Sequence, residues 1–314
     1  MRHLCGFFYA QKGDLNLSKW HYVLFVFLGG CSYGILSTFV KLAYGAGLSV
    51  NEVTGGQYFI GTLIIWILVL FMKKRGVSGN QAIKLILSGI PFGLTGIFYY
   101  QSLQTLHASL AIIFLFQYIW IGSLLEMVFL NNKPSKEKLI AIGILLAGSL
   151  LAAGITSETG VHITWQGMMW GLLAAITFAT FIFLSGTVGH NTEPLLKSAL
   201  LSSGGLIVVF IIFPPVYFVD VSVLGGFIQY GLILGIFGAV LPPLLLSIGM
   251  PKVGPGLGTI LTASELPVAV LMSALILREQ VGVWQWFGVA LILGGIMVSN
   301  VKMFKPRNIS SPNW

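Results

Sequence analysis

Apolar residues along this chain come in runs of about 20, separated by short stretches of Gly, Pro, Asn and charge, with no period-two alternation. A run of about 20 residues is what a helix needs to cross the hydrocarbon core of a bilayer. Ten such segments can be marked: 21–43, 51–72, 82–103, 108–130, 137–156, 165–187, 197–219, 226–248, 255–277 and 283–302. The seventh has the least certain end, because Pro214 and Pro215 stop or bend it. Outer-membrane barrels are excluded, since their strands alternate apolar and polar positions. The pattern predicts an all-α polytopic membrane protein.

Composition agrees. Of 314 residues, 56% are apolar and 8% charged, against roughly 25% charged in a soluble domain. Ten spans of about 20 residues consume most of the chain and leave no room for a soluble catalytic domain. The net charge of +8 lies in short clusters between the apolar runs. With the N-terminus in the cytoplasm, all but Lys41 and Arg278 of the 17 Lys and Arg fall on the cytoplasmic side. The positive-inside rule therefore places both termini there, and the charge reads as membrane orientation, with no nucleic-acid partner expected. Trp20, Trp165, Trp284 and Trp286 stand at segment starts, where amphipathic rings favour the interface. Leu28-Gly29-Gly30-Cys31 has the form of a lipoprotein cleavage box, but the apolar stretch before it is short, so no cleaved signal peptide is expected. Cys5 and Cys31 are far apart and the histidines, His107 among them, do not cluster. No disulfide, metal site or cofactor is expected.

Residues 106–153 can be laid on 253–300 without a gap. Identity is sparse, but the layout repeats: a small-residue entry, a long helix, a short polar turn (Asn131-Asn132-Lys133 against Arg278-Glu279-Gln280) and a Gly-containing helix, with Gly148 on Gly295. Gly30-x-x-x-Gly34 corresponds loosely to Gly167-x-x-x-Gly171. Two five-helix halves follow, and because five is odd the second enters the membrane inverted. Many secondary transporters are built this way, with the binding site at mid-membrane between the halves. The expected organisation is a tail over 1–20, a first repeat over 21–156, an outer connection over 157–164, a second repeat over 165–302 and a tail over 303–314.

In order and spacing the chain resembles the EamA type of the ten-helix drug/metabolite transporter superfamily. The resemblance rests on Tyr33-Gly34 with Lys41 in the first helix, and on Tyr99-Tyr100-Gln101-Ser102-Leu103 leading into Ala108-Ser109-Leu110-Ala111. It continues through Glu265-Leu266-Pro267-Val268, Leu277-Arg278-Glu279, Gln285-x-x-Gly288 and Gly294-Gly295, covering residues 20–302. Two positions depart from the family pattern: Asn132 where Glu is frequent and Gln57 where Arg is frequent. The resemblance implies a multi-pass permease of the cytoplasmic membrane, commonly an exporter of amino acids or other small metabolites by alternating access.

Glu265 is the most informative residue, since a charge near the bilayer midplane costs at least about 2.5–3.5 kcal/mol and marks a functional group. It reads as a proton-coupling or cation-binding carboxylate, or else as a hydrogen-bonded lock beside Pro267. Tyr118 is its repeat equivalent. With Gln117 and Trp120 it reads as cavity lining, and helix packing is the alternative. Tyr99, Ser37 and Thr180 complete the expected substrate cavity. Lys41 reads as a gate contact or as a snorkelling side chain. Pro242-Pro243 break the eighth helix and read as a hinge or a bend. Glu126 is expected to pair with Lys133 or Lys136, and Glu52 suits the dipole at a helix start. The glycines at 254, 256 and 258 lack the strand context of a nucleotide loop and read as close packing. The function expected is secondary transport of a small amphipathic solute, not enzymatic, with proton coupling through Glu265. A scaffold or sensor, or an intramembrane lipid-modifying enzyme, would be the other classes, and the sequence leaves monomer and homodimer open.

Overall fold

A computed structural model describes residues 19–71, 76–106, 108–153, 164–215, 221–278 and 280–304. Arg2, Cys5, Lys12, Lys73, Lys74, Arg75, His107, Glu279, Lys305 and Arg307 lie outside the described residues, as do tail residues 1–18 and 305–314 and the expected outer connection over 157–163. The described chain is helical: α1 Lys19–Gly45, α2 Val50–Leu70, α3 Gly79–Thr105, α4 108–130, α5 Lys136–Ala152, α6 Trp165–Thr187, α7 Pro194–Ile212, α8 221–253, α9 Pro255–Leu277 and α10 Val283–Phe304. Eight of these contain a stretch long and apolar enough to cross a membrane; α5 and the apolar part of α10 (Val283–Ser299) are shorter. The protein is thus a multi-pass membrane protein. α6 and α9 keep the bounds read from the sequence, whereas α7 stops at Ile212, ahead of Pro214 and Pro215.

Helix starts follow from local chemistry. Ser49 caps α2 by accepting from Glu52 N–H, and the Glu52 carboxylate accepts from Ser49 N–H at 2.7 Å, a reciprocal capping box. Ser78, Ser135 and Thr164 cap α3, α5 and α6 in the same way with their hydroxyls. Trp20, Trp165, Trp284 and Trp286 are all exposed near these ends.

The two halves contact each other reciprocally. α1 packs on α9, where a Cβ on Gly34 would fall 2.3 Å from Glu265 O. The corresponding helices α6 and α4 meet where a Cβ on Gly171 would fall 2.6 Å from Phe114 Cβ. α2 packs on α8 through Gly61 against Ala239, and the mates α7 and α3 pack through Gly204 against Ile86 O. At the α5–α10 seam Gly148 meets Ile292 and Gly295 meets Leu145, each pair carried onto the other by the repeat register. Small residues at such crossings let backbones approach closely where apolar burial offers no net driving force.

Breaks in the helices also repeat. α4 is interrupted at Gln117, and α9 passes through a 3₁₀ turn at Thr262–Ser264, where Ser264 is the repeat equivalent of Gln117. In α9 the cause is Pro267, which cannot donate to Ala263 O four residues back. In α4 no proline is present. There Gln117 N–H turns to Phe114 O (3.3 Å) while the Gln117 amide takes over Ile113 O at 3.2 Å. Both of these helices end on a left-handed residue, Asn131 (φ 51°) and Arg278 (φ 55°), again equivalents. In α8 a π-helical stretch, Gly235–Val240, precedes Pro242 and Pro243, which occupy the first turn of Leu241–Val253. Pro243 leaves Ala239 O without its helical donor, and Ser202 Oγ of α7 supplies one at 2.9 Å.

Candidate functional site

A cavity lies between the halves, lined by Tyr33 and Leu36 of α1, Gln57 and Tyr58 of α2, Phe92, Thr95, Gly96, Tyr99 and Tyr100 of α3, Leu115 of α4, Phe178 of α6 and Glu265 of α9. Its free volume is about 40 Å³, room for a few waters. Glu265 is 4% exposed. The 3₁₀ turn before it is tied to α1 by Ser264 Oγ, which donates to Phe27 O at 2.7 Å, and Gly30 and Gly34 let α1 lie directly against that turn.

Two kinds of polar group surround the cavity. Some are satisfied by the protein. Tyr58 Oη donates to Phe92 O at 2.6 Å, Tyr100 Oη donates to Gln57 Oε1, and Thr95 Oγ1 lies 2.7 Å from Pro91 O and 3.0 Å from Thr177 Oγ1. Others are buried without a partner: Tyr33 Oη, Tyr99 Oη, Tyr118 Oη and Glu265 Oε2. Tyr33, Tyr99, Tyr100 and Tyr118 all stand close enough to Glu265 to interact with it electrostatically. Thr262 stands beside the Tyr118 hydroxyl but gives its own proton to Thr259 O (2.9 Å). Phe178 holds the aromatic wall together, its ring edge-on to Tyr33 (5.3 Å) and to Tyr118 (4.8 Å). Unsatisfied buried polar atoms are rare in folded proteins. Three of these residues, Tyr33, Tyr99 and Glu265, belong to the lining from α1, α3 and α9 and leave hydrogen-bonding capacity for a guest.

The residues singled out from the sequence divide. Tyr99 and Glu265 line the cavity, and Tyr118 is fully buried behind Phe178. Gln117 and Trp120 stand elsewhere. Trp120 is 44% exposed, and its Nε1 donates to Gln117 Oε1 at 2.9 Å on the outer side of α4. Residues three apart share a helix face, whereas the residue between them that follows the first points away, so 117 and 120 cannot line a cavity with 118. Thr180 turns from the site and back-bonds to Ile176 O at 2.8 Å. Ser37 is buried next to Leu36 but is not part of the lining. Lys41 is half-buried one turn further along α1, away from the lining. Glu126 pairs with Lys138, not Lys133 or Lys136, and also accepts from Asn132 Nδ2 at 2.9 Å. Gln57 and Tyr58, which periodicity does not mark, enter the site because Gly61 and Gly96 bring α2 against α8 and α3. Tyr33 was marked only as part of the family resemblance, and Phe178 had no separate signal beyond its place in an apolar helix.

Helices broken near mid-length, halves that touch through paired crossings and a largely apolar cavity with one buried carboxyl between them match a helical membrane carrier architecture. The sequence matches the EamA-like transporter family twice, over residues 20–154 and 165–301. The chain belongs to that family, a family of transporters. It is 29% identical over 194 residues to an uncharacterized transporter, YetK, of Bacillus subtilis (strain 168). That match covers 58% of this chain and 57% of the relative, so the chain spans a little over half of that protein's length. A crystal structure of another protein superposes with a TM-score of 0.66 at 18% identity, covering 88% of this chain and 98% of that one; the likeness is one of fold.

Proposed function

We propose that the protein is a secondary transporter that exports a small amphipathic metabolite, an amino acid or related solute, across the cytoplasmic membrane by alternating access. In this reading α5 and α10 are the fifth and tenth spans, the halves 21–156 and 165–302 are inverted relative to each other, and both termini are cytoplasmic. Rocking of one half against the other opens the cavity to each side in turn. Glu265 exchanges its proton with solute and so couples the flux to the proton gradient. The observation that carries the proposal is the set of unpartnered atoms on Tyr33, Tyr99 and Glu265 in the lining of one cavity, with that of Tyr118 behind Phe178. Each unpaired buried polar group costs about 1–3 kcal/mol, a cost that hydrogen bonds to a bound solute would offset.

The test is solute counterflow in proteoliposomes, run across amino acids, nucleosides, sugars, amines and polyamines, with and without a pH gradient. One solute class should exchange, faster with the gradient. Glu265→Gln should keep exchange and lose the acceleration. Gradient dependence that survives in this variant removes Glu265 from coupling, and absence of exchange for every class overturns the carrier reading.

A further inference from the structure

We propose that the crossing of α4 with α9 is the route by which a proton passes between Glu265 and the cytoplasm. This rests on the proton-coupling reading above and names the groups that serve it. On α4 the buried face holds Tyr118, Gly122, Ser123 and Glu126. On α9 the buried residues Thr262, Thr259 and Gly256 form the facing column. Spacings of three and four keep each set on one side of its helix. Three contacts pair the columns. At the cavity end Tyr118 stands close enough to Glu265 to interact with it, and Thr262 stands beside the Tyr118 hydroxyl. One turn further, a Cβ on Gly122 would fall 2.8 Å from Thr259 Oγ1, and Ser123 is the next residue on α4. At the far end the Glu126 carboxylate, paired with Lys138, sits against Gly256 in space that a Cβ there would fill. That end is the cytoplasmic one in the proposed orientation. Thr262 and Thr259 give their protons to Thr259 O (2.9 Å) and Pro255 O (2.7 Å), so their oxygens keep lone pairs that accept from water. Tyr118 Oη and Ser123 Oγ are buried without a partner and can both accept and donate.

The equivalent stretch on the other side of the cavity lacks these groups. In the repeat register Thr262, Thr259 and Ser123 fall on Leu115, Ile112 and Val270, all apolar. The two helices thus cross there without hydroxyls, so packing alone does not call for them. Apart from Tyr118, the groups that face Glu265 are the phenols of Tyr33 on α1 and of Tyr99 and Tyr100 on α3. Glu126 faces Lys138 and Asn132. Waters that enter as α4 and α9 part complete the file, held by the threonine oxygens. The proton leaves the Glu265 carboxyl, and each water or unpartnered hydroxyl accepts one proton as it passes one on. A cytoplasmic water takes the last, and Glu265 is left as a carboxylate.

The experiment follows protonation of Glu265 in the full-length protein with dicyclohexylcarbodiimide, which modifies the protonated carboxyl, read by mass spectrometry. Vesicles of either orientation, alkaline on both sides, receive an acid jump in the bath, so that protons arrive from the cytoplasmic or from the outer face. Wild-type Glu265 should become labelled after a jump at either face. Ser123→Ala combined with Thr259→Val should slow labelling from the cytoplasmic face by about tenfold or more, the rate equivalent of a hydrogen-bond partner withheld from the file. Labelling from the outer face should not change. Thr259→Ser, which keeps the hydroxyl, should behave as the wild type. Should the double variant fail to fold, Ser123→Ala and Thr259→Val are read singly in the same way. Cytoplasmic labelling as fast as in the wild type, or labelling slowed equally from both faces, overturns the route and leaves coupling through Glu265 standing. Wild-type labelling that follows the outer face alone does the same. Labelling that follows neither face overturns the coupling reading and the route with it.

Discussion

At the scale of single residues, the cavity is held ready at the expense of stability. The hydroxyls of Tyr33, Tyr99 and Tyr118 are buried and unpaired, each a desolvation cost with no hydrogen bond in return. Tyr118→Phe keeps the ring against Phe178 and removes that cost. Its melting temperature should equal or exceed that of the wild type, while solute flux falls; a drop in stability with unchanged flux would make the hydroxyl structural instead. The place of Glu265 and Tyr99 at the cavity could be anticipated, Glu265 because a charge near mid-membrane is expensive and Tyr99 from a motif that carries the family resemblance. Trp120 and Gln117 misled because adjacency along the chain was read as adjacency in space, whereas the helix turns them to the outer side of α4. Gln57 and Tyr58 were illegible for a different reason: their place in the cavity depends on which helix α2 packs against, and no single segment encodes that.

At the scale of elements, each discontinuity has its own repair. Pro243 frees Ala239 O, and Ser202 of α7 caps it. Ser202→Ala should leave that carbonyl unpaired and cost about 1–3 kcal/mol, seen as a lower melting temperature; no change would mean that the π-helical stretch satisfies the carbonyl by itself. The contact of α1 with α9 is stricter. A Cβ on Gly34 would fall 2.3 Å from Glu265 O, and one on Gly30 would fall 2.7 Å from Thr262 O. These obstacles are backbone, which cannot swing aside. Gly34→Ala should therefore push α1 from the 3₁₀ turn and destabilise by about 1–3 kcal/mol or more, whereas Gly45→Ala, with open space around its Cβ, should be tolerated. The break in α8 was legible from its prolines. The break in α4 was not, because it rests on the Gln117 amide replacing its own backbone donor, which no composition rule announces.

At the scale of the whole molecule, the pairing of contacts between halves gives the fold an approximate two-fold relation, but its two ends differ chemically. At one end of α4, Glu126 and Lys138 form an ion pair packed against Gly256 at the start of α9. In the repeat register their equivalents are Ser273 and Gln285, which carry no charge. The pair is mostly buried, with side chains 11% and 15% exposed for Glu126 and Lys138, and removing one partner of such a pair strands the other charge. Lys138→Met should lower stability, and Glu126→Gln combined with it should recover most of the loss; an additive double variant would show that the two charges act independently. The apolar segments and the repeat could be read from the sequence because they follow from local pattern, whereas the pairing of helices across the halves could not.

The proposed function requires a cavity that opens to each side of the membrane in turn. The most direct measurement is accessibility of Tyr99→Cys, in a chain with Cys5 and Cys31 replaced by Ser, to a membrane-impermeant thiol reagent applied from the cytoplasmic or the outer side of oriented vesicles. Alternating access predicts labelling from both sides, with solute slowing both. Labelling from one side only under every condition, or from neither, would contradict it.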